Sequence, residues 1–415
     1  MHVSTEISTA PCKLSQTVMF FHLTNVRRYF RRRPGSDIVT SAGGSVESSQ
    51  LERHSQSTSE LLNNAHNFSI SHSSMHDFSN TQIQQLVLQT IMNGDANATV
   101  NSSARYPPPR CHEGTREKVV EKLKTWFHDP VRQSKAIWLY GPAGTGKSAV
   151  AQTFAEYCEA ENCLGATFFF SRPNHRDRYE TIIPTIAYQL AITFPSYQTM
   201  LSNVIAADTT VLDKAPRVQL KKLIVEPFSD LYVQNNLVAR RPLLVVLDGL
   251  DECYGLKGQL ELVEMIEEVN KLPLPFLWLV CSRPEPHLVY IFSRAIECDR
   301  HQLLIDADTR QDVEKYLRDG FKTMQIELLG MDDDSWPPPE LFSKVVDITD
   351  GLFILGTTII GYIGNSAYAN PKQRLTDFLA FMEHANRIAT DNPLIQLSTS
   401  YTPGFSWMYP SLRCL

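Results

Sequence analysis

Residues 141–148, Gly-Pro-Ala-Gly-Thr-Gly-Lys-Ser, follow the pattern G-x-x-x-x-G-K-[ST] and constrain the fold more than any other feature of this chain. The apolar run at residues 136–140 before them predicts a buried strand. After them, Val150, Phe154 and Cys158 lie at i, i+4 and i+8 and predict one face of a helix. A strand, a glycine-rich loop and a helix form the context in which this pattern binds phosphate, and that context disfavours a chance match.

The residue types of this loop suit a polyphosphate ligand. Glycines let the backbone wrap closely and turn successive N–H groups inward, while the N-terminus of the next helix adds partial positive charge. Lys147 can reach the terminal phosphates, and the Ser148 hydroxyl can ligate Mg²⁺. The predicted nucleotide-binding residues are Gly141, Pro142, Ala143, Gly144, Thr145, Gly146, Lys147, Ser148 and Ala149.

A second motif places acidic residues after an apolar run at residues 242–247. Such a run suits a strand of a parallel sheet covered on both faces, and ligands bind at the carboxyl ends of these strands. We expect Asp248 to hold Mg²⁺ together with Ser148, and Asp251 or Glu252 to orient or deprotonate an attacking water. Alternatively, Asp251 and Glu252 are an acid pair that interacts with a helix dipole.

These motifs, with Cys-Ser-Arg-Pro-Glu-Pro at residues 281–286, resemble the NACHT class of signal-transducing (STAND) P-loop NTPases. The closer resemblance is to a fungal set with a nephrocystin-like NTPase module, which residues 111–116, 168–172 and 184–190 also match. Gly249, with acids two and three places later, is typical of the NACHT motif. The resemblance covers roughly residues 60–397.

The resemblance implies roles for three further residues. Arg283 would sense the γ-phosphate, for which its fixed charge and forked donors are suited; a surface ion pair at a helix cap is the alternative. Thr115 and Arg116 would lie near the nucleotide base, whereas a helix cap made by Thr115 is the alternative.

The periodicity predicts an α/β fold: a three-layer P-loop NTPase core with a parallel sheet, followed by a small helical lid. We expect an amphipathic helix at 117–128, a less regular connection at 196–241 and a last strand at 301–305. By the resemblance, the strand before Ser282 separates the phosphate-loop strand from the strand of Asp248. The predicted regions are a disordered arm (1–64), a linker with a short strand-like segment (65–108), the NTPase core (109–305), the lid (306–397) and an atypical tail (398–415).

The two ends of the chain leave alternatives open. The arm holds five arginines at positions 27–33; besides a disordered arm, this pattern suits a presequence or a membrane-surface patch. The chain ends without the winged-helix-like domain that follows the lid in the resembled family, so a truncated product is an open interpretation. From that ending we expect faster nucleotide exchange than in longer relatives.

Composition excludes several classes of protein. The net charge of −6 gives no global basic field for nucleic acid. Eight cysteines without a C-x-x-C pair favour reduced thiols in a cytoplasmic protein over disulfides or a zinc site. The apolar stretch at residues 351–363 has only 13 residues, too few for a transmembrane span, which needs about 20.

The sequence therefore predicts Mg²⁺-dependent binding and slow hydrolysis of a nucleoside triphosphate, with ATP favoured and GTP open. By the resemblance, the protein would be a switch in fungal innate-immunity or non-self recognition signalling, with self-association in the triphosphate state and a protein partner that the sequence does not identify. The alternatives are a non-hydrolysing nucleotide-bound scaffold, a truncated regulatory fragment or, less favoured, a small-molecule kinase.

Overall fold

The computed structural model describes residues 88, 96–295, 297–330, 336–368 and 370–391, with side chains up to residue 384. The predicted arm at 1–64, the strand-like segment near residues 65–71 and the tail at 398–415 lie outside the described residues.

Five parallel strands form one sheet, in the order β2-β3-β4-β1-β5. The strands are β1 Ala136–Tyr140, β2 Leu164–Phe169, β3 Leu243–Asp248, β4 Phe276–Ser282 and β5 Cys298–Gln302. The predicted parallel α/β sheet is confirmed, and β4 lies between the strands that precede the phosphate loop and the acidic motif. The carboxyl ends of β1, β4 and β3 are therefore neighbours.

Seven helical segments cover the two faces of the sheet. They are α1 Glu117–His128, α2 Lys147–Ala160, α3 Ile182–Thr193, α4 Pro195–Ala207, α5 (Pro216–Gln219, the π-helical Leu220–Val225 and Glu226–Val233 in succession), α6 Leu256–Asn270 and α7 Pro286–Arg294. α1 and α2 pack on one face and α3 to α7 on the other, which gives the predicted three layers.

Strand alternation determines which face each site residue occupies. In β3, Leu244 and Val246 pack in the apolar cluster beneath α1 and α2, while Val245 and Leu247 pack on the opposite face. Because side chains alternate along a strand, Asp248 lies on the face covered by α2.

Two sequence-based predictions about the core were wrong. The connection at 196–241 is largely helical: Pro195 begins α4, and buried Tyr197, Leu201 and Ile205 follow at helical spacing. The last strand ends at Gln302 rather than extending to 305. Within the described residues it is an edge strand that pairs with β1 alone, and its partly exposed side chains explain why its sequence lacks an apolar run.

The start of α1 also differs from the Thr115 cap considered above. Arg116 occupies the N-cap position in the left-handed region, with φ 56°, and makes no side-chain cap. The Thr115 hydroxyl instead donates to the His112 carbonyl at 2.7 Å.

The C-terminal described region is helical, as predicted, and has its own apolar core. Its helices are α8 Ala307–Leu329, α9 Pro339–Thr349, α10 Phe353–Ile363 and α11 Pro371–Asp391. Asp350 and Gly351, with φ 44° and 75°, separate α9 from α10. Among the described helices, none is both long and apolar enough to cross a membrane.

Candidate functional site

The phosphate-binding pattern forms the turn between β1 and α2. Gly144 and Gly146 have φ values of 79° and 91°, a region that favours glycine, so the sequence pattern has a direct backbone cause. Lys147 extends across the turn, and its Nζ donates to the carbonyls of Gly141 (2.7 Å) and Pro142 (2.8 Å). Burial lowers the pKa of Lys147, chiefly opposed by the charge of Asp248.

The first turn of α10 lies directly against this loop. The Ile354 amide donates to the Gly144 carbonyl at 3.3 Å. A Cβ on Gly144 would overlap the Ile354 side chain, and a Cβ on Gly146 would lie 3.7 Å from the Phe353 ring. The lid and the phosphate loop thus share a contact that only glycine permits at position 144.

Arg116 connects the loop to the lid through its buried guanidinium, since the residue is 7% exposed. One Nη donates to the Thr145 carbonyl at 2.7 Å and the other to the Thr309 hydroxyl of α8 at 2.9 Å. The Arg116 backbone amide donates to Asp312, also on α8, at 3.0 Å. Its Nε has no hydrogen-bond partner among the described residues and lies 4.0 Å from the position a Gly146 Cβ would take. Arg116, unlike Thr115, therefore belongs to the wall of the site.

Asp248 ends β3 beside the start of α2 and is 5% exposed. Burial raises its pKa to about 6, opposed by a hydrogen bond from Ser148 and by the charges of Lys147 and Arg105. The structure thus brings together Ser148 and Asp248, the two predicted metal ligands.

This oxygen pair fits a divalent cation. A buried carboxylate is disfavoured as an ion, and a hard cation held by carboxylate and hydroxyl oxygens would neutralise it. Within the described residues no group of three His, Cys, Asp or Glu side chains converges as a metal cage. Mg²⁺ typically takes one or two carboxylates and completes its shell with water and substrate phosphates.

Asp251 and Arg283 are paired with each other. The Arg283 amide donates to Asp251 Oδ1 at 2.9 Å, and its Nε lies 3.4 Å from Asp251 Oδ2. The Asp251 side chain is 9% exposed and that of Arg283 is 25% exposed. Arg283 therefore stands at the carboxyl edge of β4, with both oxygens of Asp251 directed toward it.

Glu252 has a different environment. Its Oε2 accepts the Arg172 amide at 3.1 Å, and burial raises the pKa of its carboxyl group. The Arg172 side chain also donates to the backbone carbonyls of Asp251 (2.6 Å) and Glu252 (3.0 Å). Gly249, at φ 77°, begins the short 3-10 turn Leu250–Glu252 that presents both acids.

Two arginines at the site were not among the predicted site residues. Arg172 falls within a motif used only for the family resemblance, and its contacts with the acidic turn come from the loop after β2. Arg105 lies far from both motifs in sequence, yet its charge acts on Asp248. Arg172 reaches the acidic turn because β2 lies beside β3, and Arg105 reaches this face because its segment packs on β2 and α2, so neither position follows from local sequence.

Comparison with known families shows that residues 114–283 match the model described as nephrocystin 3, N-terminal. The matched segment contains the phosphate loop, the acidic turn and Arg283. Comparison with curated proteins gave no match.

Among solved structures, the chain is similar to a Walker-type ATPase of Pyrococcus abyssi, with 14% identity over 71% of this chain and 79% of that chain, at a TM-score of 0.40. It is also similar to the Orc1 protein of Aeropyrum pernix, solved in complex with DNA, with 14% identity over 69% and 70%, at a TM-score of 0.38. AMPPCP-bound DnaA of Aquifex aeolicus gives 12% identity over 64% of each chain and a TM-score of 0.33.

The family match and the loop geometry agree on the same part of the chain. The segment that matches the nephrocystin 3, N-terminal model contains four strands of the parallel sheet, the phosphate-binding turn and the acidic turn.

Proposed function

We propose that this protein binds and slowly hydrolyses a nucleoside triphosphate in a Mg²⁺-dependent manner and acts as a molecular switch. The observation that carries the proposal is the meeting of two motifs about 100 residues apart: Asp248 is buried at the end of β3, on the face of the sheet covered by α2, and the first turn of α2 carries Ser148 of the phosphate loop. A phosphate-binding turn next to a buried carboxylate is the arrangement that metal-nucleotide binding requires.

In this proposal the loop amides and Lys147 bind the phosphates. The ammonium of Lys147, which donates to two loop carbonyls, would exchange one of them for a phosphate oxygen, a stronger charge-assisted bond. Ser148 and Asp248 would hold Mg²⁺, which, when bound, neutralises charge on the phosphate oxygens.

The contacts favour Glu252 over Asp251 as the group that accepts a proton from water. Both Asp251 oxygens face Arg283, whereas only Oε2 of Glu252 has a hydrogen bond within the described part of the chain. Its raised pKa also makes the Glu252 carboxylate a better base near neutral pH. Asp251 would then orient Arg283, whose remaining guanidinium donors suit the γ-phosphate.

The lid contact supports a switch. Because α10 hydrogen-bonds to the phosphate loop and Arg116 links that loop to α8, a change in the loop would alter contacts in both lid helices. Membership of the NACHT class, ATP rather than GTP, self-association and a signalling role are proposed by the resemblance.

A non-hydrolysing nucleotide-bound scaffold is the second candidate. The mutual pairing of Asp251 and Arg283 favours it, because paired groups are less free to act on water or phosphate.

Phosphate release under single-turnover conditions, measured beside nucleotide affinity, tests the proposal. Glu252→Gln should keep triphosphate affinity and slow hydrolysis by roughly 100-fold or more, because a general base contributes at least that much. Glu285→Gln, a carboxylate two residues beyond Arg283, should change neither quantity. Tight binding without hydrolysis in the wild type would support the scaffold, and absence of binding would refute both candidates.

A further inference from the structure

The segment at residues 96–111, here called the strap, crosses edge strand β2 and runs along α2. The Val100 amide donates to the Thr167 hydroxyl of β2 at 2.8 Å, and Ala98 and Val100 are buried. The strap is thus packed on the core rather than lying free beside it.

A polar row along α2 holds the strap. Four side chains of α2 accept hydrogen bonds from the strap: those of Gln152, Thr153, Glu156 and Glu159. The bonds are Arg105 Nη1 to Gln152 Oε1 (2.8 Å), the Cys111 amide to Thr153 Oγ1 (3.0 Å), Arg110 Nε to Glu156 (2.8 Å) and Asn101 Nδ2 to Glu159 Oε1 (2.7 Å). The strap is therefore fixed to the helix whose first turn carries Lys147 and Ser148.

Arg105 is the strap residue that reaches the site. Its guanidinium carbon lies 3.3 Å from the centre of the Phe169 ring. Phe169 is the register partner of Asp248, so both side chains are on the face covered by α2. Gln152, which binds Arg105, is one helical turn beyond Ser148. These contacts place the Arg105 guanidinium on the face of the sheet that carries Asp248, beside the helix whose first turn carries Ser148.

We propose, on the basis of the proposed function, that Arg105 is a further residue of the nucleotide site. Its positive charge, near the carboxylate of Asp248, would strengthen binding of the polyphosphate and weaken binding of the divalent metal. The physical reason is Coulombic. A fixed positive charge attracts the triphosphate and repels Mg²⁺, and burial on Phe169 keeps solvent from screening it fully. Arg105 would thereby limit how much Mg²⁺ strengthens nucleotide binding.

The test compares ATP affinity in EDTA with ATP affinity in saturating Mg²⁺, by titration calorimetry. Arg105→Met keeps an apolar stem against Phe169 and removes the charge. We expect the ratio of Kd in EDTA to Kd in Mg²⁺ to rise roughly 5-fold. Most of this rise should come from weaker ATP binding, and so a larger Kd, in EDTA. Arg105→Lys keeps the charge and should leave the ratio within about 2-fold of the wild type.

Two controls separate charge from strap damage. Arg110→Met removes a cation that ties the strap to the same helix but is paired with Glu156, and it should leave the ratio unchanged. Asn101→Ala loosens the strap without changing its charge, so any loss should be equal in both buffers and the ratio should stay constant.

An unchanged ratio for Arg105→Met, or an equal loss in EDTA and in Mg²⁺, would overturn the inference while leaving the proposed function standing. Absence of ATP binding by the wild type in either buffer would refute the proposed function, and the inference with it.

Discussion

The two halves of the candidate site are built in different ways. The phosphate-loop half is contiguous backbone, shaped by glycines and contacted by the lid at Gly144. The acidic half is assembled from side chains, with Arg172 and Arg283 brought from two other strand ends to Asp251 and Glu252. A contiguous half depends on local conformation, whereas an assembled half depends on partners that lie far apart in sequence. We therefore expect changes in the first to alter binding and changes in the second to alter turnover.

Lys147→Ala should have the largest effect, because it removes the loop's only cation. We expect triphosphate affinity to fall by roughly 100-fold, from the loss of charge-assisted hydrogen bonds to phosphate. Titration calorimetry with ATP and Mg²⁺ measures this, and exposed Lys271→Ala is the control. Equal affinity for Lys147→Ala and the wild type would remove Lys147 from the site. It would also contradict the expectation that changes in the phosphate-loop half alter binding.

Gly144→Ala tests whether the lid contact belongs to the loop half. The matched control is Gly330→Ala, because Gly330 also has a positive φ, 62°, but a Cβ there would meet no described residue within 4 Å. Both changes should cost about 1 kcal/mol or more of unfolding free energy through left-handed strain. Only Gly144→Ala should also displace Ile354 and weaken triphosphate affinity, by roughly 10-fold.

Thermal unfolding and ATP titration of both variants separate these effects. Equal affinity losses in Gly144→Ala and Gly330→Ala would mean that the α10 contact has no part in binding.

Arg172→Met should have the smallest effect and should act on the acidic half. Without its bonds to the carbonyls of Asp251 and Glu252, the acidic turn loosens and Glu252 is less well positioned. We expect single-turnover hydrolysis to slow by roughly 5-fold, while triphosphate affinity stays within about 2-fold. Arg178→Met, in the same loop but exposed and 3.9 Å from Glu180, is the control. If triphosphate affinity fell by a larger factor than the hydrolysis rate, Arg172 would belong with the phosphate-loop half.

What the sequence predicts follows the same division. The phosphate-binding turn and the parallel sheet were predicted because each depends on a local pattern of glycines or apolar residues, whereas the place of β4 between β1 and β3 was expected from the family resemblance. The α4 and α5 helices were not predicted, although each begins at a proline, Pro195 and Pro216, and is followed by apolar residues at helical spacing. It could not predict the pairing of Asp251 with Arg283, or the link from Arg116 to Thr309, because these contacts depend on tertiary packing.

The strap also makes a mechanical connection. Four side chains along α2 hold it, and the first turn of that helix carries the residues that would contact phosphate and metal. A pulling force on the chain at residue 96 would therefore be transmitted to β2 and, through these four side chains, to much of the length of α2. A load at residue 96 would thus reach, through α2 itself, the turn that carries Ser148, one of the two proposed metal ligands.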